Sequence, residues 1–136
     1  MLGNGGMTSS APDFARLLQM LLRGGELDGV RILRETSVEL LMQNHLEGIG
    51  DGTSFWPGAG FSFGLAHLFD PASFPGGGNT GKMWWAGSTN VYFWMDPEAD
   101  LAGVFMTHVL PFGHLDMMDT ADALTYEALA EALGAH

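Results

Sequence analysis

Met83-Trp84-Trp85-Ala86-Gly87-Ser88-Thr89-Asn90-Val91-Tyr92-Phe93-Trp94-Met95-Asp96-Pro97-Glu98-Ala99-Asp100-Leu101-Ala102-Gly103-Val104-Phe105-Met106-Thr107 decides the fold. Its first half is rich in aromatic and β-branched residues, which suit a pleated, half-buried surface. Asp96 to Asp100 reads as a turn, and Leu101 to Thr107 is apolar enough for a central strand. The connection is too short for a parallel crossover, so the two stretches predict an antiparallel hairpin. Small residues from Gly87 to Asn90 either split the first stretch into two strands or bulge it.

Outward from this hairpin the pattern turns helical. Asp116 to Leu133 predicts a helix with acidic residues at its positive end and a stripe of Met118, Ala121, Leu124, Ala128 and Ala132. Toward the N-terminus, Phe61, Phe63 and Leu65 alternate with Ser62, Gly64 and Ala66, a strand pattern. Gly- and Pro-rich loops flank it, at residues 47 to 60 and 70 to 81. A short helix is expected from Glu35 to about Gln43. Ser10 predicts an N-cap with Asp13 completing a capping box, ahead of a helix carrying Phe14, Leu17, Leu18 and Leu21 on one face. Gly24-Gly25 ends that helix, and Glu26 to Gly29 forms a turn. The order helix, helix, three strands, helix predicts an α+β fold in a single segment spanning residues 1–136.

Composition narrows the function. Of the 136 residues, 46% are hydrophobic and none is cysteine, so one compact core needs no disulfide. Five basic residues against sixteen acidic ones give a net charge of -11, which argues against nucleic acid and against an anionic membrane surface. No apolar run approaches the roughly 18 residues of a membrane-spanning helix. The first six residues lack the basic start and apolar stretch of a signal peptide.

Three constellations invite a chemical reading. Gly76-Gly77-Gly78-Asn79-Thr80-Gly81-Lys82 has the glycine and lysine spacing of a phosphate loop. Met83 follows the lysine where Ser or Thr is needed, and a strand follows where a helix is needed, so a surface loop is the better reading. His108, His114, Asp116 and Asp119 could be drawn as a metal site, but the Pro111-Phe112-Gly113 turn separates the histidines and no ligand spacing emerges. Trp84-Trp85-Ala86-Gly87-Ser88-Thr89 places small residues beside tryptophans. It reads equally as a buried hairpin or as a pocket wall where a ligand comes close.

Trp85-Ala86-Gly87, then Phe93-Trp94-Met95-Asp96-Pro97, then Leu101-Ala102-Gly103-Val104-Phe105-Met106-Thr107 resembles the C-terminal part of the serine β-lactamase-like hydrolases. The branch it is most similar to is that of the esterases related to class C β-lactamases and penicillin-binding proteins. Gly5 to Arg16, Met20 to Gly29 and Phe61-Ser62-Phe63-Gly64-Leu65 agree with the same family in order. The resemblance implies part of a β-lactamase-like transpeptidase fold, a partial antiparallel sheet flanked by helices. It implies acyl-enzyme hydrolysis of a small ester or β-lactam, with no cofactor and no metal. Trp85-Ala86-Gly87 matches the family's third motif in its Trp-x-Gly variant. Trp85, Ala86 and Gly87 would then face substrate, and the Ser88 backbone N–H would be one oxyanion donor. Ala86, Asn90 and Val91 depart from the family's usual Gly, Gly and Thr, changes expected to narrow the cleft or alter the bulge.

The nucleophile motif Ser-x-x-Lys is absent, because the single lysine, Lys82, has Asn79 three residues before it. The second motif, Tyr-x-Asn or Tyr-x-Ser, is absent too: Phe93-Trp94 follows Tyr92 and Glu127-Ala128 follows Tyr126. Both motifs lie N-terminal to this region in the family. The expectation is therefore a C-terminal segment that supplies a cleft wall without the nucleophile and is inactive alone. It would self-associate or pair with the N-terminal portion. The alternative is a non-catalytic interaction or assembly module.

Overall fold

The computed structural model describes residues 7–113 and 115–134. Helix α1 (Ala11–Leu22) starts as the capping pattern predicts: the Ser10 hydroxyl accepts from the Asp13 N–H and donates to the Asp13 carboxylate. The Gly25 N–H closes the helix on the Met20 carbonyl at 2.9 Å. The turn after it is tighter than a simple bend. Asp28 and Gly29 both take positive φ, the two-residue turn that suits strand twist, and β1 (Glu26–Leu27) pairs with β2 (Val30–Arg31). Helix α2 (Glu35–Leu41) follows.

Five strands form one antiparallel sheet in sequence order: β3 (Ala59–Phe61), β4 (Ala66–Leu68), β5 (Met83–Ala86), β6 (Tyr92–Asp96) and β7 (Leu101–Phe105). The α+β class stands, with more strands than the sequence pattern predicted. The expected strand through Phe61, Phe63 and Leu65 is broken: Phe61 ends β3, and Ser62 to Leu65 form the turn into β4. The Ser62 N–H bonds the Leu65 carbonyl at 2.8 Å, Gly64 takes φ of +92°, and Phe63 is exposed. Period-two alternation cannot tell a strand from a tight turn holding the same residues, and Gly64 decides it. The Gly87 to Asn90 interruption does split the aromatic stretch in two.

Side chains alternate across the sheet, and both faces are covered. Met83 and Met95 pack with Leu18 and Leu21 of α1 and Val38 of α2. Trp84, Tyr92 and Trp94 turn to the opposite face, with Ala66, Leu68 and Met118 of α3 (Met117–Ala132). Trp84 and Trp94 are thus buried. Gly103 lies opposite Trp94 in the pairing, and a Cβ there would come within 2.2 Å of the indole ring. The missing side chain is the space the ring fills.

Helix α3 presents a different face from the apolar stripe read in the sequence. Met118 and Ala121 point inward as expected, but Leu124, Ala128 and Ala132 are exposed. The buried residue is Asp122. Its carboxylate receives the Lys82 ammonium at 2.6 Å and the Tyr92 hydroxyl at 2.9 Å. One turn on, the Tyr126 hydroxyl donates to Asp96 at 2.6 Å. Polar pairs, placed at i and i+4 along one face, dock this helix where apolar pairs were expected.

Candidate active-site cleft

Strand β5 ends at Ala86, and a tight turn carries the chain into β6. The Asn90 N–H donates to the Gly87 carbonyl at 3.0 Å, and the Gly87 N–H to the Val91 carbonyl at 2.8 Å. Asn90 takes φ of +60°. This is the three-residue hairpin in which a turn is followed by one left-handed residue, a conformation asparagine tolerates better than most. Ser88 therefore sits in the turn just beyond the strand, and not within the strand itself. Its N–H has no acceptor among the described residues.

Trp85, Ala86, Gly87 and Ser88, the four residues singled out from sequence, line one cleft of about 550 Å³. Phe55, Trp56 and Phe112 complete it. Trp85 anchors the wall through an aromatic cluster, with ring centroids 5.2 Å from Phe61 and 5.8 Å from Phe55. Such edge and tilted contacts fix ring orientation beyond what burial alone does. Gly87 has room for a side chain, since the atom nearest to an added Cβ is Val91 Cβ at 3.7 Å. The fold does not demand glycine there.

Phe55, Trp56 and Phe112 were not identified from sequence. The signal for the first two was available: adjacent aromatics inside a Gly- and Pro-rich loop have no strand to bury them. Phe112 had no such signal, because its position depends on Asn90. That side chain, 1% exposed, donates to the Val109 carbonyl at 2.7 Å and the Pro111 carbonyl at 3.2 Å, and accepts from the Gly113 N–H at 2.9 Å. Asn90 was read as a residue that narrows the cleft or alters the bulge, and it takes the left-handed position of the hairpin turn. Its observed contacts tie the 109–113 loop to the hairpin.

The glycine-rich 76–82 stretch is not a free surface loop. Lys82 is fully buried, donating to the Gly77 carbonyl at 2.7 Å as well as to Asp122. Asn79 donates to Asp96 through its backbone N–H and its amide, both at 3.0 Å. The lysine is committed inward and cannot reach a phosphate. Burial pushes the Lys82 ammonium below its usual pKa and the Asp122 carboxyl above its own, while their mutual attraction opposes both shifts. Burial and the Asp122 charge push the Tyr92 hydroxyl up, so it remains a donor. His114 lies outside the described residues, and no group of three potential ligands gathers for a metal among those described.

The Beta-lactamase family profile matches residues 2–127, nearly the whole chain and with it every strand above. The chain belongs to the beta-lactamase family. Protein Rv1367c of Mycobacterium tuberculosis is 36% identical over 115 residues, covering 79% of this chain and 29% of its own length. An uncharacterized protein of a second Mycobacterium tuberculosis strain matches to the same extent. The chain thus spans less than a third of the length of the curated relatives it matches. Among solved structures, "EstCE1, a hydrolase with promiscuous acyltransferase activity" superposes with a TM-score of 0.67 at 26% identity, over 89% of this chain and 29% of that one. Simvastatin synthase (LovD) from Aspergillus terreus shares the fold at 17% identity and a TM-score of 0.67, over 87% of this chain and 33% of that one. A putative 6-aminohexanoate-dimer hydrolase from Bacillus anthracis does so at 19% identity and 0.65, over 93% and 30%.

Proposed function

We propose that this chain forms one wall of the acyl-transfer site of a beta-lactamase-family serine hydrolase. The Ser88 N–H serves as one of its oxyanion donors. The nucleophile and its lysine come from a segment outside these 136 residues. The observation that carries the reading is that Ser88, whose backbone N–H has no acceptor among the described residues, and Gly87, a glycine the fold does not require, line the same cleft. A tetrahedral oxyanion needs fixed donors at about 3 Å, and a hairpin stiffened by Asn90 supplies such a donor without side-chain freedom. Gly87 leaves the approach to that donor open. None of the cleft residues is titratable, so this wall binds and polarises without moving protons.

The test is a hybrid in which this chain replaces the matching part of EstCE1, assayed on p-nitrophenyl esters. The chain alone is expected to show no turnover above background. In the hybrid, Ser88→Ala keeps activity, because the donor is the backbone. Ser88→Pro removes the N–H at a turn position proline favours, and activity falls by about 10²–10³-fold, the scale of one lost oxyanion donor. Gly87→Val folds and loses activity by a similar factor. Equal rates for Ser88→Ala and Ser88→Pro in a folded hybrid would refute the role of the N–H.

A further inference from the structure

We infer that this cleft wall selects substrates with an uncharged, aromatic or branched apolar acyl group and discriminates against substrates that carry a carboxylate. The inference rests on the acyl-transfer reading above and names the substrate class for that site. It stands on what surrounds the cleft. Four of its walls are aromatic (Phe55, Trp56, Trp85 and Phe112), and no charged side chain lines it. A carboxylate held against apolar walls loses hydration without gaining a counter-ion, which disfavours it.

The cations of the chain cannot supply that counter-ion. There are five. Lys82 is buried against Asp122, Arg16 pairs with Asp28 at 2.7 Å, Arg23 with Asp100 at 2.8 Å, and Arg31 with Glu26 at 3.0 Å. Arg34 sits at the N-cap of α2. None of the five reaches the cleft. The net charge of -11 adds a repulsive field for any anion that approaches. An aryl group, in contrast, meets aromatic rings it packs well on, among them Trp85, the exposed Phe55 and Phe112.

The probes are methyl phenylacetate and sodium phenylacetate, which share an aryl group and differ in charge, with benzylpenicillin as a carboxylate-bearing β-lactam. Each is titrated into the full 136-residue chain while the Ser88 amide and Trp85 indole resonances are followed by NMR. The ester is expected to shift both signals and saturate at least about fivefold tighter than either anion. Phe55→Ala, an exposed position whose loss should leave the fold intact, is expected to weaken the ester several-fold and the anions little. Equal or tighter binding of phenylacetate or benzylpenicillin at these resonances would overturn the inference, as would an ester that moves neither. In the hybrid enzyme the two readings fail separately. Turnover of benzylpenicillin as fast as of the neutral ester sinks the selectivity and leaves the acyl-transfer role. Selective ester binding with unchanged turnover in Ser88→Pro sinks the donor role and leaves the selectivity.

Discussion

Lys82→Met should undock α3. In the native chain the Lys82 ammonium is fully buried and sits 2.6 Å from Asp122, which also receives the Tyr92 hydroxyl. Removing the lysine leaves a carboxylate facing the aromatic face of the sheet with one neutral donor. Breaking one side of such a buried pair costs about 3–5 kcal/mol, a large part of the roughly 5–15 kcal/mol that holds a domain of this size. At about 3–4 °C per kcal/mol for this length, Tm should fall by roughly 10–20 °C in a thermal melt at neutral pH. The pH dependence carries the diagnostic sign. Burial already raises the Asp122 carboxyl, and its largest opposing influence is Lys82. Without that lysine the folded-state pKa climbs further above the unfolded value. A group shifted upward contributes stability that is present below the unfolded pKa and lost as pH rises through the folded one. The deficit of Lys82→Met should therefore shrink as pH falls from 7 toward 5. Pairing it with Asp122→Leu should recover part of the loss, because both charges then leave together. A Lys82→Met protein within about 1 kcal/mol of the native chain at pH 7, or a deficit that widens on acidification, would refute the polar docking of this helix.

Gly103→Ala should cost about 1–3 kcal/mol in denaturant unfolding, because its Cβ would enter the Trp94 ring and that ring is packed on Tyr92. Asn90→Ala should destabilise by a similar amount and speed hydrogen exchange at the Gly113 amide, which loses its acceptor; unchanged protection there would mean the 109–113 loop is held by something else. The chain should also self-associate. Phe55 and Phe63 are exposed and β7 is an edge of the sheet, so sedimentation showing a monomer at high concentration would count against it.

What could be read from sequence was what lies close along the chain. The Ser10 cap, the Gly24-Gly25 stop and the β5–β6–β7 meander each depend on residues a few positions apart, and their patterns carry the geometry directly. Errors arose where one pattern fits two geometries. Phe61, Phe63 and Leu65 alternate as a strand would, yet Gly64 turns the chain between them. On α3 the apolar residues outnumber the polar ones, yet Asp122 and Tyr126 face inward because their partners, Lys82 and Asp96, wait on the sheet. No local pattern in α3 announces a lysine forty residues earlier.

The candidate site divides along the same line. Trp85 to Ser88 is one short stretch and could be singled out as a unit, whereas Phe55 and Phe112 come from loops on either side of it in sequence and meet it only through folding. Asn90 links the two kinds of information. Its left-handed φ shapes the hairpin that presents the Ser88 N–H, and its amide holds the loop that carries Phe112. On the acyl-transfer reading proposed above, one residue would thus set both the donor and the Phe112 wall. Donor geometry and acyl fit should consequently fail together when Asn90 is lost, whereas Phe55→Ala should alter acyl fit alone. In the hybrid enzyme that difference would appear as a fall in kcat together with a rise in KM for Asn90→Ala, and a rise in KM alone for Phe55→Ala.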